Sequence, residues 1–416
     1  MKAQNSPWAW IPTLYFAEGI PYFVVNVISV TMFKRLGMSN GELSLLTSLL
    51  YLPWVIKPLW SPFVDIIRTK RWWVLAMQAI ITAGFAALAL SVSPDVFGWS
   101  LVIFYIVAFA SATHDIAADG FYMLALDQKQ QSLFVGIRST FYRIASVFGQ
   151  GIIVVVAGIL ETRLGNIPRA WSLTLGASAL LFAYLTFWHL RFIPRVEGEQ
   201  RASHGAADIF RDFARSWVTF FKKPGIWLAM AFMLLYRLPE AFSVKLLTPF
   251  LLDPVEAGGL GLSTAQSGLV YGTVGVIALT VGGILGGLYA AKVGLRKSMW
   301  PMSLSLALPC SVYLFMAAVQ PSAMWCIYLC VAIDQFGYGF GFTAYMLYMM
   351  QFSEGEFKTS HYAICTAFMA LSMMIPGLFA GWMQEALGYV GFFIVVMICC
   401  FATISVTFFA RRRCSC

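Results

Sequence analysis

Charge is scarce in this chain. Asp, Glu, Lys and Arg make up only 11% of its 416 residues, against 60% apolar residues. The histidines are few and scattered: His114, His189, His204 and His361. That scatter leaves no nucleophile and base set and no His/Cys cluster with metal-ligand spacing, and no glycine loop followed by a phosphate-binding Lys occurs. An enzyme, a metal protein and an ATP-driven pump are therefore excluded as readings, and no cofactor is expected. Of the eight cysteines, Cys310, Cys326, Cys330, Cys365, Cys399 and Cys400 lie within apolar stretches, and Cys414 and Cys416 follow the last of them. Cys326 and Cys330 share a helical face, which packing explains, so neither disulfides nor metal are expected. A cleavable signal is lacking as well. Met1 to Pro7 carry one Lys and run into an apolar stretch without a small-residue cleavage site, so the first span is expected to be retained.

What the chain has is apolar length. A bilayer core of about 30 Å takes roughly 20 apolar residues per helix. Runs divided by short polar or Gly/Pro punctuation predict twelve spans, at 8–33, 42–64, 72–92, 99–123, 138–160, 171–193, 226–252, 264–290, 299–319, 324–350, 361–384 and 389–410. The expected fold class is an all-α membrane protein. Its domains are an N-terminal six-helix half at 1–193, a linker at 194–225 and a C-terminal six-helix half at 226–416, a plan seen in transporters whose halves are related by an axis along the membrane normal.

Loop cations decide orientation. The termini and even-numbered connections hold nineteen: Lys2; Arg68, Lys70 and Arg71; Lys129; seven from Arg191 to Lys223; Lys292, Arg296 and Lys297; Lys358; and Arg411 to Arg413. The odd-numbered connections hold four: Lys34, Arg35, Arg163 and Arg169. Both termini are therefore expected in the cytoplasm. The net charge of +9 has the same origin and points to anionic lipid contact rather than nucleic acid. Arg211, Arg215, Lys222 and Lys223, interleaved with Phe210, Phe213, Trp217 and Phe220, predict an amphipathic surface helix in the linker.

A charge at membrane depth costs at least about 2.5 to 3.5 kcal/mol, so an ionisable residue there is a functional candidate. Glu18 lies about ten residues, roughly 15 Å, inside the first span, beside Gly19 and Pro21. It suits either a cavity or an interhelical salt bridge. The fourth span carries His114, Asp115 and Asp119. The two carboxylates are one turn apart on one face, where mutual repulsion and burial favour one of them holding a proton. His114 points elsewhere and is expected to pack. The seventh span carries Arg237, Glu240 and Lys245, with an internal ion pair expected across Pro239, and the tenth carries Asp334 among Gly337, Gly339 and Gly341. Lys57, Asp65 and Arg71 are expected at a cytoplasmic gate, with Lys57 and Asp65 as a structural pair, while Arg143 suits a substrate carboxylate or Asp119.

The loop Gly287-Leu288-Tyr289-Ala290-Ala291-Lys292-Val293-Gly294-Leu295-Arg296-Lys297 resembles the signature loop of the major facilitator superfamily, with Ala291 in place of its usual Asp. Five further segments resemble AmpG-type muropeptide permeases and the wider peptide/acetyl-coenzyme A transporter family. They are Phe16 to Tyr22; Lys57-Pro58-Leu59-Trp60-Ser61-Pro62 with Asp65; Thr113-His114-Asp115-Ile116-Ala117-Ala118-Asp119-Gly120; Leu235-Tyr236-Arg237-Leu238-Pro239-Glu240-Ala241-Phe242; and Ser360 to Trp382. The resemblance implies the major facilitator fold, with its first, fourth, seventh and tenth spans lining a central cavity. It also implies proton-coupled import of GlcNAc-anhydromuramyl peptides across a bacterial inner membrane by alternating access, in relatives that also include carriers of acetyl-coenzyme A and siderophores. The sequence reading is a proton-coupled permease, expected to act as a monomer on a small polar solute and protons within membrane lipid. Glu18, Asp115, Asp119, Glu240 and Asp334 are its candidates for coupling or binding, and Arg143, Arg237 and Lys245 for anion contact. The same fold carrying a siderophore or acyl-coenzyme A, or serving as a ligand sensor, stays open as an alternative.

Overall fold

Lipid leaves no backbone group to water, so a chain this apolar must satisfy its amides within helices. The computed structural model describes residues 6–93, 95, 97–196 and 206–412, and these contain helices and no strand. Helices α1 to α6 are Pro7–Arg35, Asn40–Val64, Lys70–Leu90, Phe97–Ala125, Lys129–Leu164 and Ile167–Phe192. Helix α7 is Ala206–Phe221, inside the expected linker, of which 197–205 lie outside the described residues. Helices α8 to α10 are Ile226–Leu252, Thr264–Val293 and Leu295–Val319, and α11 is Met324–Phe352. The final helical stretch, Lys358–Arg411, is two helices, α12 (358–387) and α13 (389–411), divided at Gly388, whose φ of 68° belongs to the left-handed region that glycine enters without strain. Among the described residues, α1 to α6, α8 to α10 and the divided final stretch are apolar enough to cross a membrane, and α11, whose apolar run is interrupted by Asp334 and Gln335, has the length of a twelfth span.

Capping residues mark several starts. The Oγ of Ser39 and of Thr69 accept from the amides of Glu42 and Trp72, and Asn166 Oδ1 accepts from Arg169 N. Asp127 with Gln130, and Ser263 with Gln266, form reciprocal capping boxes. The Asp127 box corrects the expectation for the fifth span. That helix begins about ten residues before 138, because the cap nucleates the polar run Lys129-Gln130-Gln131, and Arg138 is therefore carried well inside the helix.

One set of apolar clusters joins residues of α1 to α6, with Ala370 alone from the other half, and a second set joins residues of α7 to α13. The halves meet along two glycine-lined crossings. At α5 with α9, wide π-helical turns at Val147–Ile153 and Gly268–Gly275 face one another, and a Cβ on Gly272 would lie 2.0 Å from Gln150 O. At α2 with α12, a Cβ on Gly381 would lie 1.8 Å from Asn40 O. Only glycine permits such approach. Helix α7 lies against the second half: its Phe220 is buried, His361 Nε2 lies 3.1 Å from both Thr219 Oγ1 and Ser216 O, and Lys223 Nζ just beyond it donates to Phe352 O (2.5 Å) and Glu354 O (2.8 Å).

Candidate functional site

Five charges converge on the inner face of the first half. Asp119 Oδ1 receives Arg138 Nη2 at 2.7 Å and the Tyr15 hydroxyl at 3.2 Å, and the Arg138 guanidinium lies 4.4 Å from the Tyr15 ring centre. One turn earlier, Asp115 Oδ2 receives Trp54 Nε1 at 3.2 Å and lies 3.5 Å from Lys57 Nζ. Asp115 and Asp119 thus each have their own cation, from α2 and from α5, instead of simply repelling one another. Glu18 completes the group. The charges that act on it are Asp119, Asp115, Arg138 and Lys57, and its Oε2 is buried without a hydrogen-bond partner. Side-chain exposure falls from 44% at Asp119 to 17% at Asp115, and Glu18 as a residue is only 8% exposed, so the cluster grades from open to enclosed.

Lys57, expected beside Asp65, is thus engaged with Asp115, while the side chain of Asp65 lies outside the described residues. Arg71 Nε and Nη2 donate to the carbonyls of Ile193 and Leu190, tying α3 to the end of α6. Arg143 does not reach Asp119. Its Nη1 lies 3.5 Å from Thr280 Oγ1 on α9, across the interface between the halves.

In α8 the helix loosens at Arg237 (φ −101°, ψ 10°), just before Pro239, and Arg237 turns onto Glu240 in a bidentate pair at 2.8 and 3.2 Å. Tyr338 OH accepts from Arg237 at 2.9 Å, and the rings of Phe342 and Tyr345 flank the guanidinium. This pair is buried and internally satisfied. Asp334 turns toward α10, where Tyr313 OH donates to it at 2.6 Å and Gln335 Nε2 at 3.0 Å. Lys245 stands apart from all of these. Its Nζ is buried without a partner among the described residues, and Lys245 lines a cavity of about 40 Å³ together with Asn26, Tyr51, Thr248 and Tyr271.

Sequence reasoning missed two polar groups. His114 pairs with Gln78 Nε2 (3.0 Å), whose Oε1 meets His189 Nδ1 (2.9 Å), whose Nε2 meets Thr13 Oγ1 (3.0 Å), so four helices of the first half share one buried chain. The second is a polar seam between the halves, called the gate below for its position, at the helix ends remote from the chain termini. Asp253 receives Lys34 Nζ (2.6 Å), Asn40 Nδ2 (3.0 Å) and Tyr389 OH (2.6 Å), and Gln384 Oε1 receives Asn40 Nδ2 (2.7 Å). Beside it, Gly41 N donates to Glu385 Oε1 (2.7 Å), and Ser44 Oγ bonds to Gly377 O. Glu161 gathers Arg35 (3.0 Å), Trp171 (2.7 Å) and Thr264 (2.7 Å). Among the described residues, nearly all direct bonds between the halves lie at this end.

Two helical bundles joined at one end by polar bonds and meeting at glycine-lined crossings match the two-half plan of secondary transporters, and similarity to known proteins agrees. The sequence profile of the Major Facilitator Superfamily matches residues 13–359. The chain belongs to that superfamily. The Anhydromuropeptide permease of Escherichia coli (strain K12) is 24% identical over 92% of this chain and 75% of its own length. An uncharacterized protein of Haemophilus influenzae is 23% identical over 91% of this chain and 88% of its own. Among solved structures, a bacterial homologue of the human lysosomal transporter Spinster, inward-facing and unoccupied, superposes with a TM-score of 0.72 at 16% identity, covering 98% of each chain. A POT family transporter in complex with 5-aminolevulinic acid superposes with a TM-score of 0.72 at 12% identity, covering 97% of this chain and 95% of its own. The protein is a multi-pass membrane transporter of the major facilitator type, similar to AmpG-type permeases.

Proposed function

We propose that this protein is a proton-coupled permease that imports a polar organic solute, GlcNAc-anhydromuramyl peptides being the first choice, across a bacterial inner membrane. The observation that carries the coupling is the charge balance of the cluster. Glu18, Asp115 and Asp119 bring three negative charges and Lys57 and Arg138 two positive ones, so the ionised cluster is one proton short of neutrality. A net charge in a low-dielectric interior is costly, and the unpartnered oxygen of Glu18 is where one proton removes it. Asp119, the most open carboxylate, is the port through which water delivers the proton. Arg237, Glu240 and Asp334 serve the second half as internal supports.

The muropeptide choice is supported by the permease of Escherichia coli. With both termini in the cytoplasm, as the cation count favours, the closed gate faces the periplasm and the cluster opens inward. The test is uptake of labelled GlcNAc-anhydromuramyl tripeptide into proteoliposomes with an imposed pH gradient. Accumulation against the solute gradient that collapses with a protonophore is expected. Equilibration that ignores the pH gradient would overturn the coupling, and no uptake at all would overturn the substrate.

A further inference from the structure

Lys245 is more than nine-tenths buried, yet among the described residues no carboxylate answers it. Its Nζ has no hydrogen-bond partner, and the acidic residues nearby in sequence are engaged elsewhere, Glu240 with Arg237 and Asp253 with Lys34. A second orphan belongs to another residue of the same lining. Asn26 Nδ2 donates to Tyr22 O, a carbonyl that can only accept, and this fixes the amide so that Oδ1 is the unpaired atom. Lys245, with three donors, and Asn26, with a bare acceptor, therefore line one cavity of about 40 Å³, with Tyr51, Thr248 and Tyr271 beside them. Two buried polar atoms without partners, on residues that line one cavity, point to a polar ligand whose end reaches that cavity. Lys245 also touches the gate: a Cβ on Gly377 would lie 3.6 Å from Lys245 Cδ, and Gly377 O is the acceptor for Ser44 at the crossing of α2 and α12.

An ammonium calls for an anion, and a free amide oxygen calls for a neutral donor a few ångströms away. The terminal residue of a peptide carries both, a carboxylate on its Cα and the N–H of the preceding peptide bond. A sulfate or a fully ionised phosphate supplies no such donor. We propose that Lys245 and Asn26 form a subsite for a peptide-terminal carboxylate, the Lys245 ammonium pairing with the carboxylate and Asn26 Oδ1 accepting from the adjacent amide N–H. This rests on the reading of the chain as a transporter of a peptide-bearing solute, and it places the peptide end of that solute beneath the gate, away from the carboxylate cluster.

The experiment uses the purified full chain in detergent and N-acetylglycine as probe, a molecule that is little more than the recognised group. Its neutral counterpart is N-acetylglycinamide, at matched ionic strength. N-acetylglycine at tenfold its dissociation constant is expected to raise the thermal midpoint saturably, by about 1–2 °C for a chain of this length, and the amide is not. Lys245→Met is expected to abolish the rise, and Asn26→Ala to push saturation to about tenfold higher concentration. An equal response to the two probes, no response to either, or a full response in Lys245→Met would overturn the subsite. The outcome is separable from the muropeptide reading: loss of muropeptide uptake with the shift intact strikes that reading alone, and loss of the shift with uptake intact strikes the subsite alone.

Discussion

Replacing Asp253 by Asn tests whether the gate holds the halves together. Asp253 accepts from Lys34, Asn40 and Tyr389, and the Lys34 pair is only 15% and 13% exposed. Asn keeps the shape and one acceptor but removes the charge. A hydrogen bond to a charged group contributes about 1.5–3 kcal/mol, and part of that survives, so the closed gate should weaken by roughly 2–4 kcal/mol. At about 1.4 kcal/mol per tenfold, the ratio of closed to open moves roughly 30- to 1000-fold. The assay is electron-spin distance measurement between nitroxides at Glu42 and Glu256, exposed positions on either side of the gate, in a background without native cysteines. Wild type should show one short distance, and Asp253→Asn a second, longer population. An unchanged single distance, both in Asp253→Asn and in the double variant with Asn40→Ala, would refute the gate.

Lys245→Met should raise the thermal midpoint by about 2–4 °C in the absence of ligand, since a lone buried ammonium costs about 2.5–3.5 kcal/mol at membrane depth; a lower midpoint would mean that it has a partner. Gly381→Ala should separate α2 from α12, because its Cβ would meet Asn40 O at 1.8 Å, and a loss of about 1–3 kcal/mol of stability should show as a lower midpoint together with the longer nitroxide distance. A cysteine at Glu256 should react with an impermeant maleimide applied outside intact cells and one at Arg215 should not, because the cation count puts the linker inside; the reverse pattern would invert the topology.

The spans were legible because lipid imposes one pattern, a long apolar run, and the charges interrupting those runs were legible for the same reason. Partners were not. Asp115 and Asp119 share a helical face, yet Lys57 and Arg138 reach them from opposite neighbours, and spacing along one helix carries no information on what packs against it. Asp334 shows the same limit, since the phase of α11 turns it toward Tyr313 on α10. The gate was invisible for another reason. Lys34 and Asn40 are neighbours in the chain, but Asp253 and Tyr389 are far from them and from each other, and each looks like an ordinary polar residue near a helix end, so only the packing of the two halves brings them together. Lys245 was visible as a charge at depth, but its isolation with Asn26 was not, because the lack of a partner is a property of the folded interior.

In the proposed mechanism three carboxylates and two cations carry one proton with the solute. The most direct measurement is accumulation of labelled GlcNAc-anhydromuramyl tripeptide in proteoliposomes under an imposed pH gradient, comparing wild type with Asp115→Asn, Asp119→Asn and Glu18→Gln at equal amounts of folded protein. Wild type should concentrate the solute above its external level, and each variant, with one ionisable carboxylate removed from the cluster, should at most equilibrate it. Equal accumulation by all four proteins would contradict the account.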